Sequence, residues 1–160
     1  SRCRLPSPAR CWPRASRRRR GAGGPGRLTV RFGYDLAVDR TFLLIGALSG
    51  FLGVALGAFG AHGLRGRLSP EMLTVFETGV RYQMYHTFAL LFTALAIGRL
   101  GDARLLVGAG WAFVLGIVVF SGSLYALALS GITVLGAITP IGGLAFLAGW
   151  ACLALFAAFR

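Results

Sequence analysis

The chain has 160 residues, of which 56% are hydrophobic and 14% charged, with 24 glycines and a mean hydropathy of +0.69. Soluble domains of this size are far less apolar, so a water-soluble globular fold is excluded and a lipid environment is implied. The formal net charge of +12 rests on 17 basic residues, all arginine, but eleven of them precede residue 41 and give the first 40 residues nine of the twelve net charges. A charge confined to one tail does not make the whole chain a nucleic-acid binder, and no nucleic-acid partner is expected.

Residues 1–40 contain arginine runs, proline and glycine, as in "SRRRRGAGGPGR", with no acid before Asp35. Such a segment cannot bury enough surface to fold alone, so disorder is expected. Its compositional bias and its start on Ser1 suggest an extension foreign to the native protein. A polybasic patch for anionic headgroups and an organelle-targeting segment are the functional alternatives. Cys3, Cys11 and Cys152 form no even-numbered framework and no paired spacing, so neither a disulfide nor a zinc site is expected.

Between Arg40 and Arg65 lie 24 residues without formal charge. A helix needs about 20 to cross the hydrocarbon, which places span one at about 41–62. After it, Ser69 as N-cap, Pro70 at the first helical position and Glu71 in the first turn start a helix over about 70–81. Leu73, Phe76, Val80 and Met84 fall on one face of it and Thr74, Glu77, Thr78 and Arg81 on the other, the pattern of an interfacial amphipathic helix. It is expected to bend near Gly79 into span two, about 82–99. From Leu105 to Phe159 there are 55 residues without charge, about 80 Å as one helix, so the segment must double back. The reversal is placed at "LSGIT", where Gly131 suits a left-handed C-terminal cap. Spans three and four then cover about 106–129 and 132–156, with a kink expected from Pro140 near Gly136. Backbone exposed to lipid must satisfy its own hydrogen bonds, so these runs are helices. The expected fold is an all-α integral membrane four-helix bundle with one interfacial helix between spans one and two.

Each span carries one face of small residues. Gly46, Gly50, Gly53, Gly57 and Gly60 recur at intervals of 4, 3, 4 and 3, and Gly116, Gly142 and Gly149 belong to similar faces in spans three and four. In lipid, helices associate by close approach along such faces, and a 3.5-residue period selects left-handed packing. Arg40, Arg99, Arg104 and Arg160 on the side of the termini, against Arg65, Arg67 and Arg81 opposite, favour cytoplasmic termini.

The motifs "GAFGAHGL", "TGVRYQMYHTFALL", "FSGSLYALALS" and "TPIGGLAFLAGWA" occur in that order and resemble the YgdD-type family of small bacterial inner-membrane proteins, which has eukaryotic transmembrane relatives. The resemblance covers about residues 41–158. It implies a four-span protein of the inner membrane and supplies no activity, ligand or catalytic residue.

The alternating topology puts the polar residues of all four motifs into one half of the bilayer, opposite the termini. His86 extends the small face of span two and so points inward, Ser123 lies on that of span three, and Gln83, Ser121, Tyr125 and Thr139 are at similar depth. Together they could line a small polar pocket. His62 is off the glycine face of its own span, at the membrane edge. No H-x-x-H or E-x-x-H spacing supports a metal site, and no carboxylate lies in any span to orient a base beside a nucleophile. No cofactor, metal or catalytic residue is therefore expected. A structural or accessory membrane component is expected, with a small transporter or ligand carrier built on the pocket as the alternative. The expected partners are the bilayer and either a second copy or another membrane protein.

Overall fold

The computed structural model describes residues 26–101 and 104–159, with side chains from residue 37. Among these residues the chain is all-helical and contains no strand. Helix α1 runs Gly26–Phe59 and continues into a π-helical turn, Gly60–Leu64. Helix α2 is Pro70–Leu100. Helices α3, Arg104–Gly116, and α4, Gly122–Ser130, form one rod through a second π turn, Ile117–Ser121, and α5 is Val134–Ala158.

Three stretches are long and apolar enough to cross a membrane: Ala37–Leu64, Arg104–Ser130 and Val134–Ala158. The sides of the molecule agree with a lipid solvent. Phe51 is 72% exposed and Leu147 66%, whereas Thr87 and Ser121 are each 1% exposed. Such an outward apolar and inward polar arrangement would present a large patch to water but suits hydrocarbon.

The helix ends follow local chemistry. The Ser69 hydroxyl accepts the Met72 N–H at 3.3 Å, with Pro70 in the first turn of α2. The Glu71 carboxyl, hydrogen-bonded by its own backbone N–H and by the Ser69 hydroxyl, is held below the usual carboxylate range. Gly131 ends α4 at φ +73°, and its N–H returns to the Leu127 carbonyl at 2.8 Å. A residue with a Cβ is strained at that φ.

Two expectations differ from the structure. Helix α1 begins at Gly26, so residues 26–40 are helical rather than disordered; the sequence has no proline between residues 26 and 69 to stop the helix from propagating backward out of the span. The remainder of the expected basic extension, residues 1–25, lies outside the described residues. The expected interfacial helix and span two are one uninterrupted helix, and Gly79 serves close packing there: a Cβ at 79 would stand 2.8 Å from the Tyr125 ring. Pro140, at which a kink is expected, lies inside α5.

Helix α1 packs along α2, α2 against α3, the second π turn and α4, and α5 against that same rod. Glycines set the distances. Along α1, Gly46 meets Leu91, Gly50 meets Thr87, Gly53 meets Met84, Gly57 meets Val80 and Gly60 meets Phe76, so each step up α1 is answered by a nearly equal step down α2. The rod and α5 interlock in the same antiparallel way, with Phe146 over Gly116, Phe120 over Gly142 and Phe113 over Gly149. Where one helix lacks a side chain, the facing helix inserts a large one, and dispersion contact replaces the hydrophobic driving force that lipid does not supply. The main core, which includes Phe42, Leu90, Phe113 and Phe146, lies among these contacts.

Candidate functional site

Three hydrogen-bonded clusters cross between helices. In the first, Gln83 on α2 donates through Nε2 to the Ser49 carbonyl of α1 at 2.8 Å, and its Oε1 accepts the Tyr125 hydroxyl of α4 at 2.7 Å. One turn further along α2, the Thr87 and Ser49 hydroxyls share a hydrogen bond of 2.7 Å. A single amide thus joins three helices, its orientation set by a carbonyl that can only accept.

The second cluster centres on His86. Its Nδ1 lies 2.8 Å from the Tyr82 carbonyl and its Nε2 lies 3.3 Å from Trp150 Nε1 on α5. A carbonyl only accepts and an indole N–H only donates, so the ring is neutral with the proton on Nδ1, and both nitrogens are engaged. The imidazole stacks on Phe146 with ring centroids 3.4 Å apart and planes 8° apart. Tyr82 stacks on Phe120 of the π turn at 4.6 Å, which extends the aromatic contact between α2 and the rod.

In the third cluster Ser123 donates to the Phe120 carbonyl at 3.0 Å and shares a bond of 2.8 Å with the Thr139 hydroxyl of α5. Thr139 likewise has a carbonyl of its own helix in reach, donating to Leu135 at 3.5 Å, so either hydroxyl can serve as the donor in the bond they share across the helix interface. Ser121 lies beside this cluster but is apart from it chemically: its hydroxyl is buried and, among the described residues, has no hydrogen-bond partner. In a regular helix a serine hydroxyl can return to the carbonyl four residues back. Here the π turn Ile117–Ser121 occupies that position.

The candidate residues therefore do not share one chamber. Gln83 and Tyr125 face α1, where they meet a side groove of about 440 Å³ whose walls include Leu48, Leu52 and Ile117. His86 turns to α5, beneath a second open groove of about 600 Å³ walled by Tyr82, Pro140, Leu144 and Trp150. Ser123 and Thr139 face each other and are on the walls of neither groove. His62 is exposed in the Gly60–Leu64 turn and takes part in none of these bonds. Among the described residues no three His, Cys, Asp or Glu side chains come together.

Sequence reasoning did not single out Ser49, Thr87, Tyr82, Phe146 or Trp150. Ser49 had a usable signal, since it lies three residues after Gly46 and so falls on the glycine face. Trp150 follows Gly149, and its N–H needs a partner when the ring is drawn into a helix interface. As a chemical device the arrangement is a set of interhelical clamps: hydroxyls, an amide and a neutral imidazole bonded to one another, with no carboxylate among them.

Comparison with known proteins places these features in a family. The family described as "protein of unknown function (DUF423)" matches residues 56–143. The chain is 47% identical over 111 residues to the UPF0382 membrane protein YwdK of Bacillus subtilis, covering 69% of this chain and 90% of that protein. It is 50% identical over 113 residues to a UPF0382 membrane protein of Haemophilus influenzae, covering 71% and 90%. With the UPF0382 inner membrane protein YgdD of Escherichia coli it shares 46% identity over 116 residues, 71% of this chain and 86% of that one. No solved structure matches the chain.

Proposed function

The chain belongs to the DUF423 family, membrane proteins of unknown function, and from that premise we propose that it is a four-span, non-enzymatic structural or accessory component of a bacterial inner membrane. In this account α2 is the fourth crossing. Its first turns, with exposed Glu77 and Arg81, lie in the headgroup region, and its remainder crosses beside α1. Its exposed Phe88, Phe92 and Leu95 and its antiparallel packing along the α1 glycines support a place in the hydrocarbon. Both termini lie on the cytoplasmic side, in keeping with the arginines near the span ends.

The observation that carries the structural role is that most of the polar side chains drawn between the helices are bonded to one another, Ser121 being the exception. Gln83, Tyr125, Ser49 and Thr87 bind one another, and both His86 nitrogens are bonded within the protein. A site awaiting a substrate would hold such groups free. The test is the melting temperature in detergent of His86→Ala and Gln83→Ala, measured alone and against a panel of small polar ligands. Lower melting temperatures and no ligand-dependent shift in the wild type agree with the proposal; a ligand that stabilises the wild type but not His86→Ala contradicts it.

A second reading, a small ligand carrier, is favoured by one observation. The 440 Å³ groove reaches Gln83, whose amide has a second N–H beyond the one given to Ser49. The same ligand panel with Gln83→Ala separates the two readings.

A further inference from the structure

At the end of the α1 and α2 pair away from the Gly60–Leu64 turn, a cleft of about 210 Å³ has Asp39, Arg40, Leu43, Ala94, Gly98 and Arg99 on its walls. The charge-free run of α1 starts at Thr41, directly after Asp39 and Arg40, and that of α2 ends at Gly98, directly before Arg99, so the charged groups flank the apolar runs, where headgroups lie. Among the described residues neither Arg40 nor Arg99 has an ion-pair partner. The Asp39 carboxylate reaches toward α2: its Oδ1 accepts the backbone N–H of the next residue, Arg40, at 2.6 Å, and a Cβ at Gly98 would come to 3.2 Å from Oδ2, so the glycine leaves the room in which this oxygen sits.

From this the geometry points to a lipid-headgroup site in which the Arg40 and Arg99 guanidiniums hold a phosphodiester and the Asp39 carboxylate holds a primary ammonium. Two cations and one anion around a single cleft match a zwitterionic headgroup of the phosphoethanolamine type, in which one phosphate and one amine are joined by two carbons. A purely anionic headgroup satisfies the arginines and leaves its uncharged end against a carboxylate. Guanidinium forks suit phosphate oxygens, and charge-assisted bonds are the stronger ones at a partly dehydrated membrane edge. At about 10–15 Å³ for each enclosed water on this measure, a cleft of about 210 Å³ has room for more than ten waters and so admits a phosphoethanolamine group. Leu43 and Leu95 continue the wall toward the hydrocarbon, where the acyl chains lie.

The test titrates the full chain in detergent with phosphatidylethanolamine, phosphatidylglycerol, soluble glycerophosphoethanolamine and inorganic phosphate, and follows the melting temperature. The wild type is expected to reach half-saturation with phosphatidylethanolamine at about one tenth of the phosphatidylglycerol concentration. Arg40→Gln with Arg99→Gln weakens both lipids about tenfold or more, whereas Asp39→Asn removes only the preference between them. Both arginines are exposed, so the double variant is expected to fold, and its lipid-free melting temperature serves as the control; the wild-type comparison of the two lipids needs no variant. Equal half-saturation by the two lipids in the wild type, or arginine variants that bind as the wild type does, overturns the inference. A shift as large with glycerophosphoethanolamine or phosphate as with the lipid overturns the lipid source.

Discussion

Gly142→Ala and Gly50→Ala are the same chemical change in two helices and are expected to have opposite outcomes. A Cβ at Gly142 would overlap the Phe120 backbone nitrogen and stand 2.7 Å from Phe120 Cα. Both sides of that contact are backbone, so no rotamer change relieves it and α5 must move away from the second π turn. An added methyl group in a closed interface costs about 1–3 kcal/mol, and a gap of 0.5–1 Å forfeits roughly a quarter to a half of each neighbouring contact. At Gly50 the nearest atom to an added Cβ is Thr87 Cγ2 at 3.5 Å, an ordinary contact. Both substitutions gain the helix preference of alanine over glycine, up to about 1 kcal/mol, and this cancels in the comparison. Gly142→Ala is therefore expected to be less stable than Gly50→Ala by about 1–3 kcal/mol, with Gly50→Ala at or above wild type. The assay is reversible unfolding in mixed micelles of mild detergent and dodecyl sulfate, followed by far-ultraviolet circular dichroism. Equal midpoints for the two variants would refute the claim that the glycine contacts set the helix separations.

Tyr125→Phe leaves the Gln83 Oε1 without its donor, and a double-mutant cycle with Gln83→Leu in the same assay is expected to give a coupling of about 0.6 kcal/mol, the average for interhelical bonds in lipid, and at most about 1.7 kcal/mol; zero coupling would contradict the bond. His86→Ala loses the Phe146 stack and the Trp150 bond, and is expected to cost about 1–3 kcal/mol and to change the fluorescence of Trp150, an effect isolated by replacing Trp12 and Trp111. Ser121→Ala removes a buried hydroxyl that has no partner among the described residues, so its midpoint should match the wild type or exceed it by up to about 1 kcal/mol, whereas a clear loss would show that the hydroxyl is bonded.

The helical segments were legible because charges punctuate this sequence. Arg40, Arg65, Arg99 and Arg104 bracket apolar runs whose lengths suit a bilayer, and Gly131 marks the one reversal inside a charge-free segment. The α1 glycines were legible because a 3.5-residue period needs no partner to be visible. The two π turns were not, since a turn that widens by one residue leaves no periodic mark in a sequence that is apolar throughout; the second lies where the Phe120 backbone passes close to Gly142. Nor was the division between Gln83 and His86. They lie three residues apart on one helix, and which neighbour each reaches depends on helix rotation and side-chain length rather than on depth in the membrane. Ser49 and Thr87 escaped notice because hydroxyls in such helices so often return to their own backbone, as Thr93 does to the Ala89 carbonyl at 2.8 Å.

The four-span account rests on α2 crossing the bilayer, which puts the turn before it and the turn after it on opposite sides. Arg67 and Arg104 are exposed at those two places. With the three native cysteines replaced by serine, Arg67→Cys and Arg104→Cys are each treated with a membrane-impermeant thiol reagent in right-side-out and inverted vesicles. The account predicts that Arg67→Cys is labelled only from the outside and Arg104→Cys only from the cytoplasmic side. Labelling of both from the same side would contradict the crossing by α2, and with it the four-span fold.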